Sequence, residues 1–215
     1  MKQEDARLSK AMSLLNVHYA SFKAVEPYAH EYGHPEPCDT RGWSQLLVSI
    51  LTGLKGIQRQ KGADLEDGSD VKGACTWGAI DTPRFNGCIK AGTKSSLAGR
   101  MASLDREPYI FFVLWDHEPS LNRERCRIWV VRPQKDKVFR EMCARWYNQC
   151  RAGEIKSTNF QLHPPRNKDS NVIRNTCGNL EYPLFFAALK QDDGFVATHY
   201  DPAVLTSGQC VRAGI

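Results

Sequence analysis

The stretch Gly62-Ala63-Asp64-Leu65-Glu66-Asp67-Gly68-Ser69-Asp70-Val71-Lys72-Gly73 decides how the rest of the chain is read. Asp67-Gly68 is a strong turn signal between two runs that could be strands. A three-residue loop, Glu66-Asp67-Gly68, fits a type I turn whose third residue is left-handed, which suits glycine. That register predicts a β-hairpin with Leu65 opposite Ser69 and Asp64 opposite Asp70. Side chains alternate along a strand, so Asp70 and Lys72 share a face, Val71 points away and Asp64 projects beside Asp70. Directly opposed carboxylates weaken a sheet. A cation between them removes that penalty, and Mg2+ is typically held by one or two carboxylates plus substrate phosphates. A lysine beside such a pair can polarise an attacking water or neutralise charge on a phosphate. The bland alternative is a solvated acidic turn with a lysine ion pair.

Upstream, Trp43, Leu46, Leu47, Ile50, Leu51 and Leu54 form the apolar stripe of a helix, with Asp39 and Thr40 as candidate caps. Residues 4 to 25 read as an earlier helix on Leu8, Met12, Leu15, Tyr19 and Phe22, ended by Pro27. Downstream, residues 78–103 are a polar excursion, and Tyr109 to Trp115 is a dense apolar strand of the kind covered on both faces. Cys126 to Val131 reads as a strand, and Phe139, Met142, Cys143, Trp146, Tyr147 and Cys150 as one face of a helix ending near Gly153. Asn159 to Leu162 is a short strand, Leu180 to Lys190 is predicted as a helix, and Phe195 to Tyr200 as an edge strand. The fold class is α+β with an α/β core: a mixed central β-sheet flanked by helices. The expected organisation is a single domain, 1–215, with an N-terminal helical extension (1–38) and a core (39–190).

Asp64…Asp70-Val71-Lys72 resembles the signature of the PD-(D/E)xK nuclease superfamily. The short gap between the acids is most similar to the mismatch-repair nicking enzyme and related restriction endonucleases. With the Asp81-to-Asn86 and Leu162-His163-Pro164-Pro165 segments, it also looks like small type II restriction endonucleases of the MamI type, over roughly residues 40–190. The resemblance implies the α-β-β-β-α-β restriction-endonuclease core, which agrees with the element order from residue 41. It further implies an endodeoxyribonuclease with Asp64, Asp70 and Lys72 as catalytic residues. Asp64, Asp70 and the Val71 carbonyl would hold Mg2+, with Mn2+ an admissible substitute. Hydrolysis would leave a 5′-phosphate and a 3′-hydroxyl. The superfamily often has a further acid on the preceding helix. Trp43 to Gln60 has none, so Gln45, Gln58 or Glu66 could stand in, and Ala63 replaces the proline of the family name.

Double-stranded DNA is then the expected partner. Arg84, Phe85, Asn86, Lys90 and Lys94 in the first excursion, and Arg166, Lys168, Asn171, Arg174 and Asn175 in the 163–176 stretch, are candidate contacts. Arg and Lys contact phosphates, Arg and Asn read purine edges, and Phe85 could wedge between bases. A palindromic target implies a two-fold homodimer, and a restriction enzyme implies a cognate DNA methyltransferase. Two other classes fit the same residues: a non-catalytic DNA-binding module, and a metal-dependent nuclease acting on RNA or another nucleic acid.

The 215 residues carry a formal charge of +5, which permits nucleic-acid binding without requiring it. Eight cysteines lack any Cys-x-x-Cys pair, and reduced thiols are expected. His30…His34…Cys38 has a metal-like spacing, but Pro35 and Pro37 interrupt a helix there. Met1 to Asp5 is charged and no apolar run is long enough to span a bilayer, so a cytoplasmic, prokaryotic protein with no membrane contact is expected.

Overall fold

The computed structural model describes residues 2–35, 39–57, 63–77, 82–90, 102–165, 169–206 and 211–214. Its centre is a five-stranded sheet. The strands are β1 (Asp70–Cys75), β3 (Ile110–Glu118), β4 (Arg123–Val131), β8 (Leu184–Gln191) and β9 (Gly194–Tyr200), side by side in that order. β1 lies parallel to β3, with Asp70 against Ile110, and the other pairings are antiparallel. The predicted mixed sheet flanked by helices is therefore present.

The two faces follow from alternation along β3. Phe111, Val113 and Trp115 face α1 (Lys2–Glu31) and α2 (Arg41–Thr52). Ile110, Phe112 and Leu114 face α4 (Lys137–Arg151), whose Phe139, Met142, Cys143, Trp146 and Tyr147 are buried against them. Each such side chain contributes roughly 1.5–3 kcal/mol by leaving water. Smaller β units complete the second face: β2 (Phe85–Lys90) pairs with β5 (Asn159–Leu162), and β7 (Gly178–Glu181) lies between β6 (Val172–Asn175) and β10 (Arg212–Ala213), antiparallel to both. A five-residue helix, α3 (Ala102–Arg106), leads into β3.

Three expectations are corrected here. The predicted helix at Leu180 to Lys190 is strand β7, a Tyr182-Pro183 break and strand β8. β8 sits inside the sheet with Phe185, Phe186, Ala187 and Ala188 buried, and a strand covered on both faces has no polar alternation to betray it. Pro27 does not end α1, which continues to Glu31 and closes at Gly33, whose φ is 68°. A proline near a helix end removes one backbone bond, and the burial of Ala29 holds the last turns in place. Ala11, Leu15 and Phe22 of α1 are part of the core against the sheet, so the helical extension packs on the domain. Cys126, Cys143, Cys150 and Cys177 are reduced as expected, but Cys75 is disulfide-bonded.

His18 of α1 is boxed by Trp43, Trp77 and Trp115, with ring centroids 4.8, 5.4 and 4.4 Å away. Its Nδ1 is buried without a hydrogen-bond partner, and burial lowers its pKa from 6.5 to about 4. The folded protein thus binds this proton less tightly than the unfolded chain. The neutral ring contributes stability in full above about pH 6.5, and that contribution is lost as the pH falls towards 4. Urea midpoints at pH 7 and pH 4.5 should show a smaller acid-induced drop for His18→Phe than for the wild type.

Candidate active site

The turn expected between the acids exists, but its first arm does not. Gly68 N–H donates to Leu65 O and Leu65 N–H to Ser69 O, both at 3.0 Å, and Gly68 has φ 95°. Asp64 and Asp70 do not pair as strand neighbours. Leu65 instead bridges Gly56, and β1 takes β3 as its partner. The carboxylates still converge, by another route. The Val71 N–H is shared between Asp64 Oδ2 and Asp70 Oδ1, at 2.9 Å each. Gln45 Nε2 of α2 donates to Asp64 Oδ1 at 2.7 Å, and Lys72 Nζ stands 2.5 Å from Asp70 Oδ2.

Gly73 makes the Gln45 contact possible. A Cβ there would stand 2.8 Å from Ser44 Oγ and 3.2 Å from Thr40 Oγ1, so only glycine lets α2 close on β1. Ser44 cannot easily give way, because it is fully buried and accepts from Trp115 Nε1 at 3.0 Å. Gly73→Ala should cost about 1–3 kcal/mol by overpacking, read from its urea midpoint.

The site is a cleft of about 380 Å³ whose lining includes Arg41, Asp64, Asp70, Lys72, Arg84 and Asn86. Asp70 is buried, and burial raises its carboxyl to about 6, with the hydrogen-bonded Asp64 adding to the rise and Lys72 opposing it. Glu107, just ahead of β3, is raised to about 8 by burial, then by Asp70 and Asp64, again against Lys72. Its Oε2 is buried without a hydrogen-bond partner. The paired carboxylates of Asp64 and Asp70, with no soft ligand beside them in the cleft, suit a hard divalent cation. Among the described residues, no three His, Cys, Asp or Glu side chains are grouped so as to hold an ion unaided. A second pocket of about 410 Å³, against Asn171, His199 and Asp201, contains none of these acids.

A family model described as MamI restriction endonuclease matches residues 27–193. The chain belongs to that family. It is 32% identical over 168 residues to the type II restriction enzyme MamI of Microbacterium ammoniaphilum, an alignment covering 74% of this chain and 54% of that protein. The chain thus spans about half the length of the curated relative it matches. No solved structure matches it. The family match covers the acid turn, the cleft and all of β3 to β7. No helix among the described residues is long and apolar enough to cross a membrane.

The predicted site residues of this family member fall into distinct groups. Asp64, Asp70, Val71 and Lys72 meet in the cleft, with Arg84 and Asn86 on its rim. Glu66 is turned elsewhere, accepting from the Lys55 N–H at 2.9 Å. Phe85 is corrected: it is fully buried against Phe112, with ring centroids 5.2 Å apart, and has no face to offer a base. Side chains alternate along this stretch, with Phe85 buried between the exposed Arg84 and Asn86. Asn171 accepts from Trp129 Nε1 at 2.9 Å, Arg174 donates to Pro164 O at 3.2 Å, and Asn175 donates to Gln161 O at 2.7 Å. These three side chains are engaged within the protein itself. Lys90 closes β2, while Gln58, Lys94, Arg166 and Lys168 lie outside the described residues. His199 places Nε2 3.0 Å from Leu184 O. Sequence reasoning missed Arg41 and Glu107. The available signal for Glu107 was an acid held by Pro108 at the mouth of the most apolar strand.

Proposed function

We propose that this chain is a type II restriction endonuclease that hydrolyses phosphodiester bonds of double-stranded DNA at a specific sequence, with Mg2+ as cofactor. The observation that supports it most is the convergence of Asp64 and Asp70 on one N–H, with Lys72 on Asp70, inside a cleft edged by Arg41 and Arg84. When bound, a divalent cation supplies positive charge at the scissile phosphate and lowers the pKa of a water beside it.

Asp64, Asp70 and the Val71 carbonyl would hold that cation. Gln45 and the Val71 N–H fix the Asp64 carboxylate, leaving each oxygen a free lone pair. Lys72 leaves Asp70 to orient the attacking water or to balance charge on the phosphate as it passes through its five-coordinate state. Arg41 and Arg84, which line the cleft, would contact phosphates, and Asn86 would reach a base edge. The products would be a 5′-phosphate and a 3′-hydroxyl. A homodimer on a palindromic site, a cognate methyltransferase and a cytoplasmic setting complete the proposal.

The test is incubation of the purified protein with unmethylated phage DNA, with Mg2+ or EDTA, beside Lys72→Ala. Discrete fragments that need both Mg2+ and Lys72 are expected. Intact DNA from a folded protein that still shifts it in a gel would instead point to a non-catalytic binding module. Arg84→Ala should weaken DNA binding about equally across sequences and reduce the slope of log affinity against log salt by about 1, measured by fluorescence anisotropy in EDTA.

A further inference from the structure

Glu107 has no part in the resembled signature, nor does any hydrogen bond explain its burial. Its Oε2 is out of contact with solvent and has no hydrogen-bond partner. A carboxylate oxygen left so is costly, and such groups persist where something outside the protein satisfies them.

The backbone shows what Glu107 stands next to. The Asp70 N–H donates to Tyr109 O at 3.0 Å, two residues after Glu107. A Cβ on Gly68 would be 3.2 Å from Arg106 O and 3.5 Å from Pro108 Cδ, so the acid turn is packed directly on the segment that carries Glu107. Pro108 confines Glu107 to extended backbone, which limits where its side chain can go. Asp70, Lys72 and Asp64 all act on its carboxyl group, so the three acids and the lysine share one field.

We propose that Glu107 is the third acidic group of the cation site, joined to Asp64 and Asp70 through waters that the ion keeps. This rests on the nuclease reading above. Magnesium dehydrates reluctantly and is usually held by few direct carboxylates, so an acid one water further out still anchors it. In this chain Glu107 supplies, from the entry to β3, the acidic side chain that the helix α2 does not carry.

The experiment is calorimetric titration of the intact protein with Mn2+ alone, without DNA, for the wild type, Glu107→Gln, Glu107→Asp and Asp64→Asn, alongside metal-free melting curves. Glu107→Gln should bind Mn2+ about tenfold more weakly, or worse. Glu107→Asp, which keeps the charge, should recover part of that loss. The metal-free melting temperature of Glu107→Gln should not fall, because the amide removes a buried unpaired acid. If Glu107→Gln binds Mn2+ within twofold of the wild type while Asp64→Asn does not bind, the Glu107 proposal is overturned and the nuclease reading stands. If the wild type itself fails to bind Mn2+, both fall.

Discussion

Asp70→Asn should abolish cleavage, by about a thousandfold or more, while leaving the protein at least as stable as the wild type in the absence of metal. The first half follows from removing a carboxylate from the charge that positions the cation and the phosphate, where single groups are commonly worth two to three orders of magnitude. The second half follows from burial. Folding places the Asp70 carboxylate beside Asp64, and its raised pKa records that the protein holds the charged form at a cost. An amide of the same shape removes that cost and can still accept from Val71. Cleavage assays and metal-free melting curves of one preparation test both halves. Unchanged cleavage would remove Asp70 from the mechanism. Lost cleavage with a large drop in melting temperature would make its role structural.

Asp116→Ala should produce the largest loss of stability, about 3–5 kcal/mol, measured by urea denaturation. Asp116 accepts from Arg125 Nε and Nη2 at 3.1 and 2.9 Å and from Arg127 Nη2 at 2.7 Å, with all three side chains at least nine-tenths buried. Removing the anion leaves two guanidinium groups buried without it. The damage should spread further. Arg125, Arg127 and Trp129, successive on one face of β4, bond to Asp169, Ser170 and Asn171 in turn. This ladder clips residues 169–171 to the sheet. Replacing Asp116, Arg125 and Arg127 together by apolar residues of similar volume should recover much of the stability, because the desolvation cost leaves with the charges.

What could be read from the chain alone depended on how many faces an element exposes. Helix α4 shows one buried stripe and one wet one, and strand β3 is an unbroken apolar run between turn signals; both were legible. β8 was not, because a short run buried on both faces looks alike as helix or strand. The Asp67-Gly68 turn was legible from local chemistry, and it placed Asp64, Asp70 and Lys72 in one patch. The partner of β1 was not legible, since a parallel pairing with β3 leaves no turn between the strands to announce it. Gln45 was one of several residues the sequence offered beside the acids, and the packing of α2 on Gly73 is what brings it to Asp64. Glu107 is a single acid in a charged stretch, indistinguishable there from Asp105 until burial separates them.

The pairing of β1 has a further consequence for the order of assembly. β3 to β4 and β8 to β9 are joined by tight turns, so those ribbons close cheaply, whereas β1 must find β3 across the whole intervening segment. It then sits at the sheet's edge, held by one ladder. The strand that carries Asp70 and Lys72 is therefore built to dock late and to open early. Amide exchange should be faster along β1 than along β4. A partly folded chain would have its sheet before it has its acids in place, so the cleft is the last part of the molecule that folding completes.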